Sequence, residues 1–170
     1  AWECKTGSKL RKVKGSVCAS CYALKGNYTR YKAIKAAQYD RLEKIKNSLW
    51  VAAMVVQVKR QKYFRWHDAG DVQDLEHLNK IYSVCKLTPE VKHWMPTREA
   101  WIKNYLYNKP KNLVIRFSPP MIGQRNDSWP NSSMVVESGA TCPAPKQNNS
   151  CGDCRACWDP LVKVVSYGKH

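Results

Sequence analysis

The sequence predicts an α/β fold: a partial barrel or open, mostly parallel sheet of four to six strands, with flanking helices and cysteine-rich metal-binding loops. Apolar runs typical of strands alternate with segments of helical periodicity, and this alternation favours parallel strands joined by crossover helices. The chain has 170 residues, of which 44% are hydrophobic, and this is enough for one domain over residues 1–170. It is too short for a full eight-stranded barrel of about 250 residues.

Helical periodicity is strongest between Tyr28 and Lys62. Apolar residues recur there at three- and four-residue steps, at Leu42, Ile45, Leu49, Ala52 and Val56. Because lysines and arginines lie between them, the pattern predicts an amphipathic segment divided into two consecutive helices. A further helix is predicted from about Val72 to Lys86, with Cys85 on its apolar face as a core residue.

Short apolar runs bounded by turn residues predict the strands. They are Tyr63–His67, Val91–Met95, Asn112–Phe117, Met134–Glu137 and Leu161–Tyr167. Residues 68–71 form the loop after the first strand. We expect Pro96 to stop the second strand and Thr97 to cap a helix from Arg98 to about Tyr107.

Ionisable residues follow these strands at their carboxyl ends, where parallel sheets bind ligands. His67, Asp68 and Asp71 follow the first strand; Arg98 follows the second, and Arg116 lies near the end of the third. We predict that these five residues position a substrate or move protons. For His67 and Asp68 the alternative is a structural role, in which the pair bonds loop amides.

Cysteines form two sets, and Cys85 belongs to neither. The N-terminal cysteine set combines a C-x2-C motif with one thiol fourteen positions upstream: Cys4, Cys18 and Cys21. The C-terminal cysteine set combines C-x2-C-x2-C with one thiol nine positions upstream: Cys142, Cys151, Cys154 and Cys157. Eight thiols could also pair as disulfides, but such frameworks are typical of short secreted chains with little core.

The spacing of the C-terminal set favours iron–sulfur ligation over zinc. Three closely spaced thiolates and one distant thiolate are the bacterial ferredoxin pattern for a [4Fe–4S] cluster, and Cys142 is the distant thiolate here. Structural zinc is the alternative, because two C-x2-C pairs also build a Cys4 site. All seven cysteines are therefore candidate metal ligands. We predict one or two clusters, with the N-terminal set either holding the second or replacing some ligands of the first.

The charge of the chain is strongly positive, and its apolar runs are short. Lys and Arg number 29 against 13 Asp and Glu, a net charge of +16, which makes nucleic acid a candidate partner. A solvated basic face is the alternative. The longest apolar run, residues 49–56, is far below the roughly 18 residues of a membrane span, and the N-terminus lacks the apolar core of a secretory signal. We therefore expect no membrane partner.

Several motifs in order along the chain resemble the gene product 88 family of bacteriophage proteins. The resemblance rests on Cys18-x2-Cys21-Tyr22-Ala23, Arg65-x-His67-Asp68-x-Gly70-Asp71, Trp94-x-Pro96-Thr97-Arg98, Leu113-Val114-Ile115-Arg116-x-Ser118 and Cys151-Gly152-x-Cys154-x-Ala156-Cys157-Trp158. A protein of this family is expected in the host cytoplasm.

A more distant similarity is to phage radical-SAM-like proteins, in which a Trp and a Thr-Gly precede C-x2-C-Tyr-Ala. Trp2, Thr6-Gly7, Cys18 and Cys21 correspond to these positions. The similarity implies a partial barrel with a cluster on three thiolates and one iron left open. The hallmark C-x3-C-x2-C is absent, so S-adenosylmethionine is a secondary cofactor hypothesis.

These patterns predict a phage-encoded iron–sulfur protein with a redox role, either electron transfer to a partner protein or cluster-based redox catalysis. The first alternative is a zinc-stabilised basic protein that binds nucleic acid. The second is a minimal radical-SAM-like enzyme.

Overall fold

The computed structural model describes residues 2–169, and its centre is one parallel sheet. Five strands pair in chain order and curl into a half-barrel: β1 Tyr63–Arg65, β2 Lys92–Thr97, β3 Leu113–Phe117, β4 Ser132–Val136 and β5 Val164–Gly168. The predicted α/β partial barrel is confirmed, while metal binding by the cysteine-rich loops stays a prediction.

The helices precede, separate and flank these strands. They are α1 Lys5–Leu10, α2 Asn27–Arg30, α3 Lys32–Lys44, α4 Trp50–Val58 and α5 Leu75–Leu87. Five 3₁₀ segments lie at Val17–Ser20, Tyr22–Leu24, Ala100–Asn108, Ala144–Lys146 and Ala156–Trp158. None of the helices described over residues 2–169 combines the length and apolar character that a membrane span requires.

The outer face of the sheet forms the main hydrophobic core. Side chains alternate between the two faces of a strand, so Met95 of β2 and Ile115 of β3, which are register partners, point to the same side. They pack with residues of α5, among them Leu78 and Cys85, both fully buried. The prediction that Cys85 is a core residue is therefore confirmed.

The inner face of the half-barrel is filled by the C-terminal loop. Trp94 of β2 and Val165 of β5 pack around Cys157, which belongs to the 3₁₀ segment Ala156–Trp158. Arg116 of β3 lies on this face too, because it is the register partner of Pro96, two residues along the strand from Trp94. The curled sheet thus encloses part of the C-terminal cysteine set.

The expectation that Pro96 ends β2 is wrong. Pro96 lies inside the strand and is the register partner of Arg116. Backbone groups on this strand alternate between its neighbours: Trp94 O accepts from Trp66 N on the β1 side, and Thr97 O accepts from Ser118 N on the β3 side. The missing N–H of Pro96 therefore faces β1, whose last residue, Arg65, is already paired opposite Trp94, so no hydrogen bond of the sheet is lost.

Thr97 does not cap an α-helix, contrary to prediction. It is the last residue of β2, and the next helical segment is the 3₁₀ helix Ala100–Asn108. Its hydroxyl donates to Oδ1 of Asp71 at 2.7 Å and accepts from the Glu99 N–H at 3.0 Å. These tertiary contacts hold the residue in the sheet.

The predicted apolar face of the Tyr28–Lys62 segment is also wrong. Leu49 and Val56 are 70% and 61% exposed, and none of the residues of α3 is buried. The residues of α4 that contact the core are Trp50, Val51, Met54 and Val55, a stripe shifted by one position from the predicted one. Because a helix turns 100° per residue, this shift changes which face is buried.

Several element ends differ from the prediction by two or three residues. The helix α5 begins at Leu75 because the Asp74 side chain caps it, accepting from His77 N at 2.8 Å; Val72 is a buried loop residue. The strand β4 begins at Ser132 and not at Met134. Ser132 is buried but polar, so a pattern of apolar residues does not include it.

Candidate functional site

A cavity of about 680 Å³ opens at the carboxyl ends of the strands, on the inner side of the half-barrel. The N-terminal cysteine set lies at this cavity together with four of the five predicted catalytic residues, which are His67, Asp68, Asp71 and Arg98. Neither Arg116 nor any member of the C-terminal cysteine set lines it. Such a volume is in the range of small-molecule sites, about 300–1,000 Å³.

The N-terminal cysteine set is assembled by α1 and the turn that follows it. Cys4 immediately precedes α1, Cys18 lies in the 3₁₀ segment Val17–Ser20, and Cys21 directly follows that segment. Gly7 of α1 packs beside two of the sulfurs: a Cβ on Gly7 would lie 2.7 Å from Cys4 Sγ and 3.7 Å from Cys18 Sγ. Glycine is needed here because any side chain would occupy the space beside the thiols.

Two anchors fix this N-terminal segment to the sheet. Oε2 of the buried Glu99 accepts from the Thr6 hydroxyl at 2.9 Å and from Trp101 Nε1 at 3.1 Å, and its Oε1 accepts from Thr6 N at 3.1 Å. Val17 N donates to Pro120 O at 2.8 Å, in the loop after β3. The cysteines are therefore held against the ends of β2 and β3, although Cys4 is 61 residues before the last residue of β1.

Burial dominates the electrostatics of these thiols. It raises the pKa of Cys4 to about 11, with a further contribution from Asp71. It also raises the pKa of Cys18, while the Arg98 guanidinium opposes the rise and Cys21 adds to it. A bound metal centre would deprotonate such thiols, since a coordinating thiol binds as thiolate.

Asp71 joins the loop after β1 to the end of β2. Its carboxylate accepts from Val72 N at 2.8 Å, from the Thr97 hydroxyl at 2.7 Å and from Arg98 N at 2.7 Å. Burial raises its pKa to about 6, against the lowering effect of these three hydrogen bonds. The carboxylate therefore has a clear positioning role at the cavity wall.

Arg98 lines the cavity and links the end of β2 to the loop after β3. One guanidinium nitrogen, Nη1, donates to Ser118 Oγ at 2.9 Å, to Ser118 O at 3.1 Å and to Pro119 O at 2.9 Å. Burial raises the pKa of the Cys18 thiol, and the positive charge of Arg98 opposes that rise. The arrangement places a fixed positive charge beside the N-terminal cysteine set.

His67 combines two unusual features. It is one of three non-glycine residues with a positive φ, 57°, among residues 2–169, and its Nε2 is buried without a hydrogen-bond partner in the described structure. Burial lowers its pKa to about 3, with smaller contributions from His77 and Arg65. The imidazole is therefore neutral at physiological pH, and backbone strain with an unsatisfied polar atom is typical of functional sites.

Asp68 forms the outer rim of the cavity with two tyrosines. Its carboxylate Oδ2 accepts from the Tyr28 hydroxyl at 2.6 Å, and its backbone carbonyl accepts from the Tyr22 hydroxyl. The rings of Tyr22 and Tyr28 meet edge to face, with centroids 5.9 Å apart. Asp68 therefore links the segment after Cys21 to the end of β1.

Arg116 lies away from the cavity, buried on the inner face of the sheet. All of its donor nitrogens bond to backbone carbonyl oxygens, those of Ser132, Ala156, Cys157, Asp159 and Val162, at 2.6–3.3 Å. Four of these carbonyls belong to the loop that carries the end of the C-terminal cysteine set. The fifth, from Ser132, supports the β3–β4 junction, where only one residue pair, Phe117 with Ser132, is in register.

The C-terminal cysteine set is organised around Cys157. Its Sγ lies 3.0 Å from the Tyr167 hydroxyl. Burial raises the pKa of Cys157, Tyr167 and Arg116 oppose the rise, and the thiols of Cys142 and Cys151 add to it. The backbone N–H of Cys142 donates to Ser166 O of β5 at 3.0 Å, and Cys154 is placed by its own N–H, which donates to Cys151 O at 2.9 Å. None of these four cysteines lines the cavity at which Cys4, Cys18 and Cys21 lie, so the two sets occupy different places in the fold.

The donor chemistry of both sets fits an iron–sulfur cluster. Over residues 2–169, no group of three or more His, Cys, Asp or Glu side chains is arranged to hold a single metal ion. A cluster makes a different demand, because each thiolate binds its own iron. Gly7 keeps the region beside Cys4 Sγ and Cys18 Sγ free of a further side chain.

Sequence reasoning missed three residues of the site. Tyr167 and Gly7 line the cavity, and Glu99 anchors α1 from behind it. Tyr167 lies near the carboxyl end of β5. The rule that ligands bind at the carboxyl ends of parallel strands, which pointed to His67 after β1, also points to Tyr167. Glu99 and Gly7 act through the packing of α1, and α1 itself was not predicted.

The comparisons with known proteins identify one family. No curated protein matches the chain significantly, and neither does any solved structure. The sequence profile described as "Gene product 88" matches residues 2–160, which is nearly the whole chain and includes every residue of the cavity named above except Tyr167. The chain belongs to the gene product 88 family of bacteriophage proteins.

Proposed function

We propose that this protein is an iron–sulfur redox enzyme in which the N-terminal cysteine set holds a [4Fe–4S] cluster at the cavity. The observation that carries the proposal is the convergence of Cys4, Cys18 and Cys21 on a cavity at the carboxyl edge of a parallel half-barrel. Three protein thiolates leave one iron of a cubane without a cysteine ligand. An iron of that kind can bind and activate a small molecule in the cavity.

The surrounding side chains support catalysis rather than simple electron storage. Arg98 supplies a fixed positive charge beside Cys18, and Asp68 and His67 lie on the cavity wall. His67 is neutral because burial lowers its pKa to about 3, so it accepts or donates a hydrogen bond without adding charge. Asp71 positions Arg98 through the backbone N–H of that residue, at 2.7 Å.

The C-terminal cysteine set supports a second cluster with an electron-transfer role. A buried guanidinium normally has an anionic partner, yet Arg116 makes no salt bridge with a carboxylate among the described residues. Thiolates at Cys157 and its neighbours would supply the missing negative charge. Tyr167 lies between this set and the cavity.

Metal and sulfide content, measured on protein purified without oxygen, tests the proposal. We expect a brown protein with about eight irons per chain, four for each cubane. The variants Cys18→Ala and Cys154→Ala should each lose about four of them, whereas the matched control Cys85→Ala, from a buried thiol outside both sets, should keep all. Equal iron loss in all three variants would contradict the ligand assignment.

Two further outcomes separate the alternatives. A colourless protein with stoichiometric zinc would favour the zinc-stabilised alternative. If the reduced protein carries an open iron, a small ligand should change its electron paramagnetic resonance spectrum in the wild type and in Cys154→Ala but not in Cys18→Ala. S-adenosylmethionine is one ligand to test in this way, and a response to it would support the radical-SAM-like alternative.

A further inference from the structure

The positive charge of the chain is concentrated at its N-terminal end. Residues 1–46 contain 12 of the 29 Lys and Arg but only 3 of the 13 Asp and Glu, a net charge of +9. The remaining residues, 47–170, carry a net charge of +7 over nearly three times the length. We call the described part of this segment, residues 2–46, the basic arm; it comprises α1, α2 and α3.

Most cations of the basic arm have no acidic partner in the described structure. The ion pairs within it are Lys44 with Asp40, at 2.6 Å, and Lys46 with Glu43, at 2.9 Å. The other ten cations gain no pairing energy and repel one another. A surface of this kind is stabilised when a polyanion binds and releases its counterions.

The fold brings cations from two parts of the basic arm together around one aromatic ring. The ring of Trp2 lies between α1 and α3, with Arg11 at 5.9 Å and Lys35 at 5.2 Å from its centroid. None of the α3 residues is buried, so this helix contributes little to the core. Its exposed polar surface is therefore available to a partner.

Exposed aromatic rings lie among the cations. Tyr31, immediately before α3, is 51% exposed, and Tyr39 within the helix is 40% exposed. Alternation of cations with exposed aromatic rings is what single-stranded nucleic acid requires, because unpaired bases stack on the rings while phosphates contact the cations.

The basic arm also forms one wall of the cavity. Ser8 of α1, Arg11 directly after α1, and Leu24 line it. An extended strand on the arm would therefore pass the mouth of the cavity, where an unpaired nucleotide has room to enter. A duplex would keep its bases away from both the tyrosines and the cavity.

We propose that the basic arm binds single-stranded nucleic acid and presents one nucleotide to the cavity. The binding step does not depend on a cluster, so it can fail or succeed independently of the redox proposal. Specificity for a base would come from the cavity wall, and affinity from the arm. An acidic protein segment would satisfy the cations but would make no use of the exposed rings.

Two triple variants with the same net charge test the assignment. Lys9→Glu/Lys12→Glu/Lys32→Glu changes exposed residues of the basic arm, whereas Lys86→Glu/Lys103→Glu/Lys111→Glu changes exposed residues elsewhere. Binding of 20-nucleotide RNA and DNA single strands is measured by fluorescence anisotropy at several salt concentrations. We expect the first variant to lose about tenfold or more in affinity near 0.15 M salt, with a salt slope smaller by about two. The second variant should bind like the wild type, and the comparison of RNA with DNA identifies the natural strand.

Tyrosine variants separate nucleic acid from other polyanions. Tyr31→Ala/Tyr39→Ala should weaken single-strand binding about fivefold or more without changing the salt slope. The control Tyr107→Ala removes a ring that is 80% exposed but outside the arm, and it should have no effect. Equal losses in both charge variants, or a poly-glutamate chain that binds as tightly as the oligonucleotides, would overturn the proposal. Absence of oligonucleotide binding in a batch with full iron content would overturn it too, while leaving the redox proposal standing.

Discussion

The hydroxyl of Tyr167 lies 3.0 Å from the Sγ of Cys157, and the same side chain lines the cavity beside the N-terminal cysteine set. Tyr167 therefore contacts the C-terminal cysteine set and also borders the cavity at which the N-terminal set lies. A hydrogen bond to a ligand sulfur stabilises the reduced, more negative state of a cluster and raises its reduction potential.

The variant Tyr167→Phe removes this hydrogen bond and keeps the ring. We expect the iron content to stay at the wild-type level and the reduction potential of one cluster to fall, as measured by a redox titration. Tyr82→Phe is the matched control, because its hydroxyl donates to Tyr105 O at 3.3 Å, away from both sets. A potential that shifts equally in both variants would argue against the assigned role of Tyr167.

Arg116 should be among the residues on which stability depends most. Replacement by Leu leaves five backbone carbonyls without their donor in a buried region. We expect Arg116→Leu to lower the free energy of unfolding by about 3 kcal/mol or more, measured by urea denaturation. Arg116→Lys should restore little, because an ammonium cannot reproduce the planar arrangement of five donors.

A control for the loss of a guanidinium is available on the surface. Among residues 2–169 the ion-pair partner of Arg125 is Asp127, and the side chains are 61% and 71% exposed. Arg125→Leu should change stability by at most about 0.5 kcal/mol. An Arg116→Leu protein as stable as this control would show that the loop of residues 156–162 does not need the guanidinium.

The sequence was informative where local periodicity and the rules of parallel sheets apply. The strand-end rule located His67, Asp68, Asp71 and Arg98, because the carboxyl ends of parallel strands always meet at one edge. It failed for Arg116, whose position near the end of β3 says nothing about which face it points to. That face follows from the register, and the register depends on contacts between residues distant in sequence.

Where prediction failed, tertiary contacts overrode local preference. Pro96 continues a strand because the neighbouring strand has ended, and Thr97 stays in the sheet because Asp71 accepts its hydroxyl. The exposed face of α4 could not be identified from spacing alone, since two stripes one residue apart are almost equally apolar. Thr6-Gly7 entered the sequence analysis only through the distant radical-SAM-like similarity, and the role of Gly7 in the site depends on the sulfurs beside it.

Stability should fall in acid through His93, which is fully buried. Its Nε2 lies 2.9 Å from the Thr88 hydroxyl oxygen, and that hydroxyl donates to Val84 O, so the imidazole is protonated at Nε2. Its Nδ1 has no partner among the described residues, and burial lowers the pKa of the ring to about 4. A folded-state pKa below the unfolded value of about 6.5 stabilises the fold above pH 6.5, and this contribution is lost as the pH falls toward 4.

The variant His93→Phe keeps the ring stacked on Trp66 and removes the titration. We expect its free energy of unfolding to depend less on pH than that of the wild type. Between pH 7 and pH 4 the wild type should lose about 3 kcal/mol of free energy of unfolding relative to the variant. Met95→Leu, another buried change in the same strand, should show a pH-independent difference. Parallel pH profiles for the wild type and His93→Phe would exclude His93 as the titrating group.

Gly7 offers a test of the N-terminal cysteine set that leaves every cysteine in place. Replacement of a helical glycine by alanine ordinarily stabilises a helix by about 1 kcal/mol, and Gly7 lies within α1. Here the new Cβ would approach Cys4 Sγ to 2.7 Å, which is far inside van der Waals contact. The sulfur must therefore move away from the position in which it faces Cys18.

We expect Gly7→Ala to lose about four irons per chain, as Cys18→Ala does, while the C-terminal set keeps its own. The matched control is Gly168→Ala, which also lies at the cavity but whose Cβ would meet nothing within 4 Å; it should retain all iron. A Gly7→Ala protein that gains stability and keeps its full iron content would mean that Cys4 does not need its observed position. The assignment of the observed Cys4 position as the iron-binding one would then be wrong.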